Sequence, residues 1–259
     1  MAGFSRFLAV LRLFNEKASS QTVPAMAEAL GAPASTVYRT VRDLVAASFL
    51  EAGGAGEYRL GAAFIEYDRL LRLTDPLVAA GHAALRDVAM QAGLPCVIKL
   101  ARLYNDQVMC VADEATRDHA ISASYERGRP MPLTRGATSK VILGHLPSRH
   151  LNRLLADMKA QSAPRFEALR KELTEIRRSG YCVTANEIDP GLAGIAAPVI
   201  AREAGIVASL SLVTEDSSLD EGQRRRLVLL VVSAASLIAE DLNRRLAPAG
   251  HSHSREFES

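Results

Sequence analysis

Apolar residues at Phe4, Phe7, Leu8, Leu11 and Phe14 recur at intervals of three and four, which predicts an amphipathic helix near the start of the chain. A loop over Lys17 to Gln21 follows. Thr22 then stands as an N-cap for a second helix, with Pro24 tolerated in its first turn, Met26, Ala27 and Leu30 on its inner face, and Gly31 at its end. Pro33 sits just ahead of a third helix that runs to about Ala47. Phe49 to Glu51 and Glu57 to Leu60 read as short strands around the glycine turn at 53–56. Helix, helix, tight turn, helix, hairpin is the order of a winged helix-turn-helix, assigned here to residues 1–60.

Residues 61–74 continue as a linker helix, and Asp75-Pro76 marks the start of a second domain, 75–247. Its pattern mixes periods. Helices are expected at about 77–91, 138–146, 148–159, 165–179 and 220–246, and strands at 96–104, 107–112, 119–125, 181–187, 194–200 and 206–213. Asn105-Asp106 turns the first hairpin. The fold class is therefore α+β, a winged helix-turn-helix followed by an α/β sandwich. Residues 248–259 form a polar tail expected to be disordered.

Composition narrows the function classes. The chain has 259 residues, 48% of them hydrophobic, enough for two packed domains. Net charge is only +2, and residues 1–60 hold six basic against five acidic side chains, so DNA binding must rest on where charges sit. Cys96, Cys110 and Cys182 are far apart and odd in number, which suits buried thiols in a reducing, cytoplasmic setting. No signal peptide pattern opens the chain, and the richest apolar run, 227–239, is too short to span a membrane and is interrupted by Ser233 and Ser236. No metal-ligand spacing or phosphate-binding glycine loop stands out, so no cofactor is expected.

The third helix carries the sharpest chemical signal. At 100° per residue, Val37, Val41, Leu44 and Ser48 point one way, with Val45 at the margin, while Ser35, Tyr38, Arg39 and Arg42 cluster on the other side. A hydroxyl near a helix N-terminus can donate to phosphate, and arginine can pair with phosphate oxygens or guanine edges. Arg59, at the end of the wing, adds a candidate backbone contact. The alternatives are that Ser35 merely starts the helix, that Arg39 and Arg42 form a solvated face, and that Tyr38 packs on the hairpin.

Several segments carry a family resemblance: Phe7-Leu8-Ala9-Val10-Leu11, Met26-Ala27-Glu28-Ala29-Leu30-Gly31, Ser35-Thr36-Val37-Tyr38-Arg39 and Tyr58-Arg59-Leu60-Gly61. Further on come Arg129-Pro130-Met131-Pro132-Leu133, Ala137-Thr138-Ser139-Lys140, Gly180-Tyr181, Glu187, Gly191 and Ile195-Ala196-Ala197-Pro198-Val199. In order and spacing the chain resembles IclR-type transcription regulators over nearly its whole length. The resemblance implies a dimerising winged-helix domain, a linker helix and a GAF-like effector domain, often in a dimer of dimers. The implied partners are double-stranded operator DNA, through Thr22, Ser35, Thr36, Tyr38, Arg39, Arg42 and Arg59, and a small carboxylate effector. Two positions depart from the family's habit. Ala34 replaces a commonly basic residue, removing a phosphate contact, and Ala25 replaces a glutamate, removing a capping box.

By analogy with the family, the effector lies on one face of the sheet, beneath the loop and helix that begin near Arg135. Ala137, Thr138 and Ser139 then occupy a helix N-terminus, where free N–H groups favour a carboxylate. Ser209 and Ser211 share one face of a late strand, Asp189 closes the opposite rim, and Arg129 or Arg135 pairs with the acid. The bland alternatives are an N-cap role for Thr138 or Ser139, local backbone bonds for the two serines, and a surface position for the arginines. Two other functions compete. One is a thiol-based redox sensor or GAF-like redox enzyme, using Cys96 and Cys110 as neighbours across a turn; the other is a winged helix that contacts protein instead of DNA.

Overall fold

The computed structural model describes residues 3–116, 121–202 and 205–247, and the chain divides between Thr74 and Asp75 into two compact units. The expected disordered tail at 248–259 lies outside the described residues, as do His119 and Ala120 of the strand expected at 119–125. Residues 121–125 form no strand.

The first unit runs α1 (Gly3–Leu11), β1 (Ser20–Thr22), α2 (Val23–Leu30), α3 (Ala34–Ala46), β2 (Leu50–Ala52), β3 (Glu57–Leu60) and α4 (Ala63–Thr74). The segment read as a loop therefore ends in a strand. β1 pairs antiparallel with β3, Ser20 opposite Arg59 and Thr22 opposite Glu57, to give a sheet ordered β1-β3-β2. Three residues are too few for an alternation to show, and this strand is defined by its partner. Between α2 and α3 the chain reverses at Gly31, whose φ of 57° is left-handed and whose N–H returns to the carbonyls of Ala27 and Glu28.

Val10, Phe14, Met26, Val37, Val41, Leu44 and Leu50 form the core of this unit. Two expectations need correction. Phe4 and Leu8 are exposed, because α1 seats Val10 inward with Phe7 and Leu11 at the margin, and the helix ends before Phe14, which is buried beyond it. Ser48 is exposed and lies beyond the end of α3 at a φ of 59°, so it cannot share the helix's inner face. Thr40 takes that buried place, its hydroxyl satisfied by the carbonyl of Thr36 at 3.1 Å.

In the second unit α5 (Pro76–Ala92) precedes the hairpin of β4 (Val97–Tyr104) and β5 (Gln107–Ala115), then β6 (Pro130–Met131) and α6 (Ala137–His145). α7 (Ser148–Leu154), α8 (Ala156–Gln161) and α9 (Ala163–Ser179) lead to β7 (Cys182–Ala185), β8 (Leu192–Ala201), β9 (Ile206–Glu215) and α10 (Glu221–Leu246). The single helix expected at 148–159 breaks at Leu155, which is buried between the two pieces. β5 runs three residues past its expected end at Ala112, and β6, two residues long, has no signal of its own in the sequence.

All six strands join one antiparallel sheet, ordered β6-β5-β4-β9-β8-β7. Alternation along each strand gives it two unlike faces. Ile98 and Leu100 of β4, Ile195 and Val199 of β8, and Leu210 and Leu212 of β9 pack with Leu77 of α5 and with Leu227 and Ile238 of α10. Ala101, Cys182 and Ala196 face the other way, toward Val141 and Ile142 of α6 and Leu173 and Ile176 of α9. On β9 the same parity turns Leu210 and Leu212 into the apolar layer and Ser209 and Ser211 toward α6.

Candidate nucleic-acid interface and ligand cleft

Helix α3 presents a divided surface. Val37, Val41 and Leu44 are buried, while Ser35, Tyr38, Arg39 and Arg42 are exposed. Tyr38 is 57% exposed, which leaves most of its ring open to solvent. Pro33 is the N-cap and makes no side-chain cap bond, so Ser35 does not serve in that role. Among the described residues the backbone N–H groups of Ala34 and Ser35 have no partner, leaving the positive end of the helix open to an anion. Arg39 makes no ion pair among the described residues, and Arg42 holds only its neighbour Asp43 at 3.3 Å across an exposed pair. Such a pair is worth at most about 1 kcal/mol and yields readily to phosphate.

The remaining positions are more constrained. Thr36 is half-buried. Thr22 caps α2 by accepting the Ala25 N–H at 3.3 Å, so its oxygen is engaged while its proton is free. Arg59 lies directly across the hairpin from Glu51 and its Nε donates to that carboxylate, so a contact with a nucleic-acid backbone must displace Glu51.

In the second unit the first turn of α6 sits on the sheet face that carries Ser209 and Ser211. Gly136 leads into it at a φ of 79°, with Ile188 2.9 Å from where a Cβ would lie. Thr138 Oγ1 donates to Ser211 Oγ at 3.0 Å, and Ser209 Oγ donates to the Thr138 carbonyl at 3.2 Å. Ser139 turns aside, within 2.6 Å of the Tyr125 hydroxyl and donating to the Pro132 carbonyl. Neither Thr138 nor Ser139 is the N-cap, which is Gly136.

A cleft of about 40 Å³ opens at this helix end, bounded by Ala137, Thr138, Tyr125, Thr184, Glu187 and Asp189. Of the predicted effector residues the structure gathers Ala137, Thr138 and Asp189 here. Ser209 and Ser211 lie beneath the helix instead, and Ser139 is turned away. Arg129 and Arg135 are exposed outside the cleft, donating to the carbonyls of Ser124 and Glu187 respectively. Asp189 accepts from the Ser124 N–H at 2.9 Å and also from the Ser124 hydroxyl, which ties the 121–136 loop across the opening. Space of this size holds a water or two, far below the roughly 300–1,000 Å³ of small-molecule sites.

Two further residues, Glu187 and Thr184, line the cleft, and Lys140 and Lys99 bond to residues that line it; none of the four was among the expected effector residues. Glu187 accepts the Gly136 N–H at 2.9 Å, and Thr184 accepts the Ala137 N–H at 3.1 Å. The N–H groups of Thr138 and Ser139 have no partner among the described residues. Lys140 is buried and bonded to both Glu172 and Glu187 at 2.6 Å. Burial opposes its charge, but these carboxylates outweigh burial and hold its pKa above the ordinary value. Lys99, only 2% exposed, donates to the Tyr125 carbonyl and makes no ion pair among the described residues; burial pulls its pKa down against the more distant Cys110, Asp113 and Asp189. A sign of it was present in the sequence, since Lys99 occupies the same parity as the apolar Val97 and Ala101.

The cysteines do not form a redox pair. The β4–β5 register places Ala101 opposite Cys110, whereas Cys96 lies beside Thr116 at the far end of the hairpin. The turn at Asn105-Asp106 fixes that register and so corrects the expectation that Cys96 and Cys110 are neighbours. All three thiols are free and buried, and burial pushes them up to about 11 for Cys96 and about 12 for Cys110 and Cys182.

A winged helix-turn-helix with an open recognition face, followed by a GAF-like sandwich of sheet between helix layers, defines a class of two-part DNA-binding regulators. The IclR helix-turn-helix domain matches residues 4–54, and the bacterial transcriptional regulator IclR C-terminal domain matches residues 74–240. The chain belongs to the IclR family and is a transcriptional regulator, not an enzyme. Among its relatives are the Pca regulon regulatory protein of Pseudomonas putida, 23% identical over 91% of this chain and 82% of that one, and the regulator XynR of Escherichia coli, 26% identical over 84% and 88%. Similar solved structures include an IclR regulator from Silicibacter sp. TM1040, with a TM-score of 0.79 at 21% identity over 93% of this chain and 96% of that one. Another is an IclR homologue from Microbacterium hydrocarbonoxydans complexed with 4-hydroxybenzoate, with a TM-score of 0.75 at 23% identity over 94% and 100%. At that identity the likeness speaks for the fold. No helix among the described residues is long and apolar enough to cross a membrane.

Proposed function

We propose that this regulator acts in the cytoplasm on a catabolic operon, as a dimer or dimer of dimers, and responds to a small organic acid, aromatic in type. The observation that carries the DNA-reading half is the division of α3, with Val37, Val41 and Leu44 buried and Ser35, Tyr38, Arg39 and Arg42 exposed. On this reading Arg39 and Arg42 reach base edges or phosphates, Ser35 and Thr36 meet phosphate at the helix N-terminus, and Thr22 and Arg59 touch the backbone from either side. Replacing both Arg39 and Arg42 by alanine abolishes binding to the DNA upstream of the protein's own gene and leaves the oligomer's size unchanged. Undiminished binding by that variant rejects the reading, and loss of a protein contact with DNA binding intact favours the interaction-module alternative.

The acid's carboxylate is assigned to the N-terminus of α6, where the N–H groups of Thr138 and Ser139 lack partners, with Ala137 and Asp189 at the rim. Arg135 and Arg129 border the loop that must part from Asp189 to admit it. Ser209 and Ser211 act beneath the helix, holding Thr138 in place. Support for an aromatic acid comes from the relative complexed with 4-hydroxybenzoate. Calorimetry with a panel of aromatic acids is expected to find one that saturates in the wild type and weakens in Thr138→Ala. A hit whose affinity Thr138→Ala leaves unchanged moves the site elsewhere.

A further inference from the structure

At the opposite end of α6 lies a second and larger cavity, of about 520 Å³, where the ends of β4, β8 and β9 meet the start of α7. Its volume falls within the roughly 300–1,000 Å³ of small-molecule sites. Leu103, Leu146, Ile200 and Val207 supply apolar wall, and Arg102, His145, His150 and Arg202 supply nitrogen; among the described residues no carboxylate lines it.

The cations here are not all needed by the fold. Arg177 donates to the Leu146 carbonyl at 3.0 Å and so complements the negative end of α6. Arg102 is held by Asp75 at 3.2 Å. Arg202 is exposed, and its guanidinium has neither a hydrogen bond nor an ion pair among the described residues. His150 Nε2 is buried and lacks any hydrogen-bond partner among the described residues, a cost that structures usually avoid. Burial, with help from Arg177 and Arg202, keeps His145 below its ordinary pKa against the Val141 carbonyl, which favours its charged form. Surplus cation, an orphaned ring nitrogen and apolar walls together describe a receptor for an anion with an apolar body.

We propose that this cavity is a second ligand site, taking a small organic anion whose acidic group lies between the Arg202 guanidinium and His150 Nε2 and whose body packs on Leu103, Ile200 and Val207. It is separate from the cleft at Thr138 and does not rest on that assignment.

The test is calorimetric titration of the full chain with benzoate, hexanoate and inorganic phosphate. Benzoate or hexanoate is expected to saturate, with phosphate at least about tenfold weaker for want of apolar contact. Arg202→Ala and His150→Phe should each weaken the organic anion by about tenfold or more, Arg202→Lys should recover part of the loss, and Thr138→Ala should leave this binding within about twofold. Because the Arg202 guanidinium is exposed and unbonded, the alanine variant is expected to melt like the wild type. Absence of saturable binding by either organic anion overturns the proposal, as does phosphate binding as well as they do. It also fails if Arg202→Ala and His150→Phe both bind as the wild type does. Should Thr138→Ala abolish binding that Arg202→Ala leaves intact, the cleft at the head of α6 stands and this second site does not.

Discussion

The two units handle their polar side chains in opposite ways. On α3 the groups suited to a ligand, the hydroxyl of Ser35 and the guanidinium of Arg39, face solvent with little or nothing to hold them. At the head of α6 the corresponding groups are already engaged: Thr138 with Ser211, Ser139 with Tyr125, and the Gly136 N–H with Glu187. A surface that reads a polyanion can stay open because water satisfies it and counterions are exchanged on binding. A buried cleft is held more tightly, since each unpaired polar group costs about 1–3 kcal/mol, so its side chains bond to one another and only the Thr138 and Ser139 N–H groups are left without partners among the described residues. The proposed DNA-reading face is therefore visible without a partner, and the proposed effector cleft is visible mainly as a network to be displaced.

That contrast can be broken at several points. The largest effect is expected in the layer beneath the cleft, where Leu212→Ala should cost about 2–5 kcal/mol of stability in denaturant unfolding while leaving the α3 face untouched. A cost near zero would mean the sheet does not bear the load assigned to it. Next comes Gly136→Ala, which forces a left-handed φ of 79° on a Cβ and brings it 2.9 Å from Ile188; a loss of about 1–3 kcal/mol is expected, seen in the same unfolding curves. Asp189→Asn sharpens the comparison from the ligand side. It weakens the hold on Ser124 and should tighten any effector that enters by loop opening by a few-fold, roughly 1 kcal/mol at most, whereas a preformed cleft would show no change.

The thiols give a reactivity test with a definite sign. A thiol at about 12 instead of its ordinary 9.0 carries about a thousandth of the usual thiolate at neutral pH, and one at about 11 about a hundredth. Native protein should therefore react far more slowly with a thiol reagent than unfolded protein does, the rate climbing as pH rises toward 11, and peroxide should leave DNA affinity unchanged. Rapid native labelling near neutral pH would revive the redox reading.

What the sequence disclosed follows the same division. Helix α3 was legible because its packing and its proposed function use opposite faces of one periodic element, so Val37 and Arg39 are separated by spacing alone. The parity of β9 was legible too, and it correctly set Ser209 and Ser211 on one face. Whether that face met a ligand or the underside of a helix was not, because the answer depends on how α6 descends onto the sheet. Glu187 and Thr184 meet the head of α6 only through long-range packing, and no local pattern announces them. The strand at Ser20–Thr22 was missed for a similar reason, being too short to alternate and held only by Glu57 to Arg59.

The DNA-reading half of the proposed function sets the outward side of α3 against DNA. Its most direct test is the salt dependence of affinity for the DNA upstream of the gene, measured by fluorescence anisotropy for the wild type and for Arg39→Ala. If Arg39 neutralises a phosphate, the variant's log–log slope should be shallower by about one. Identical slopes and affinities in the two proteins would contradict the claim.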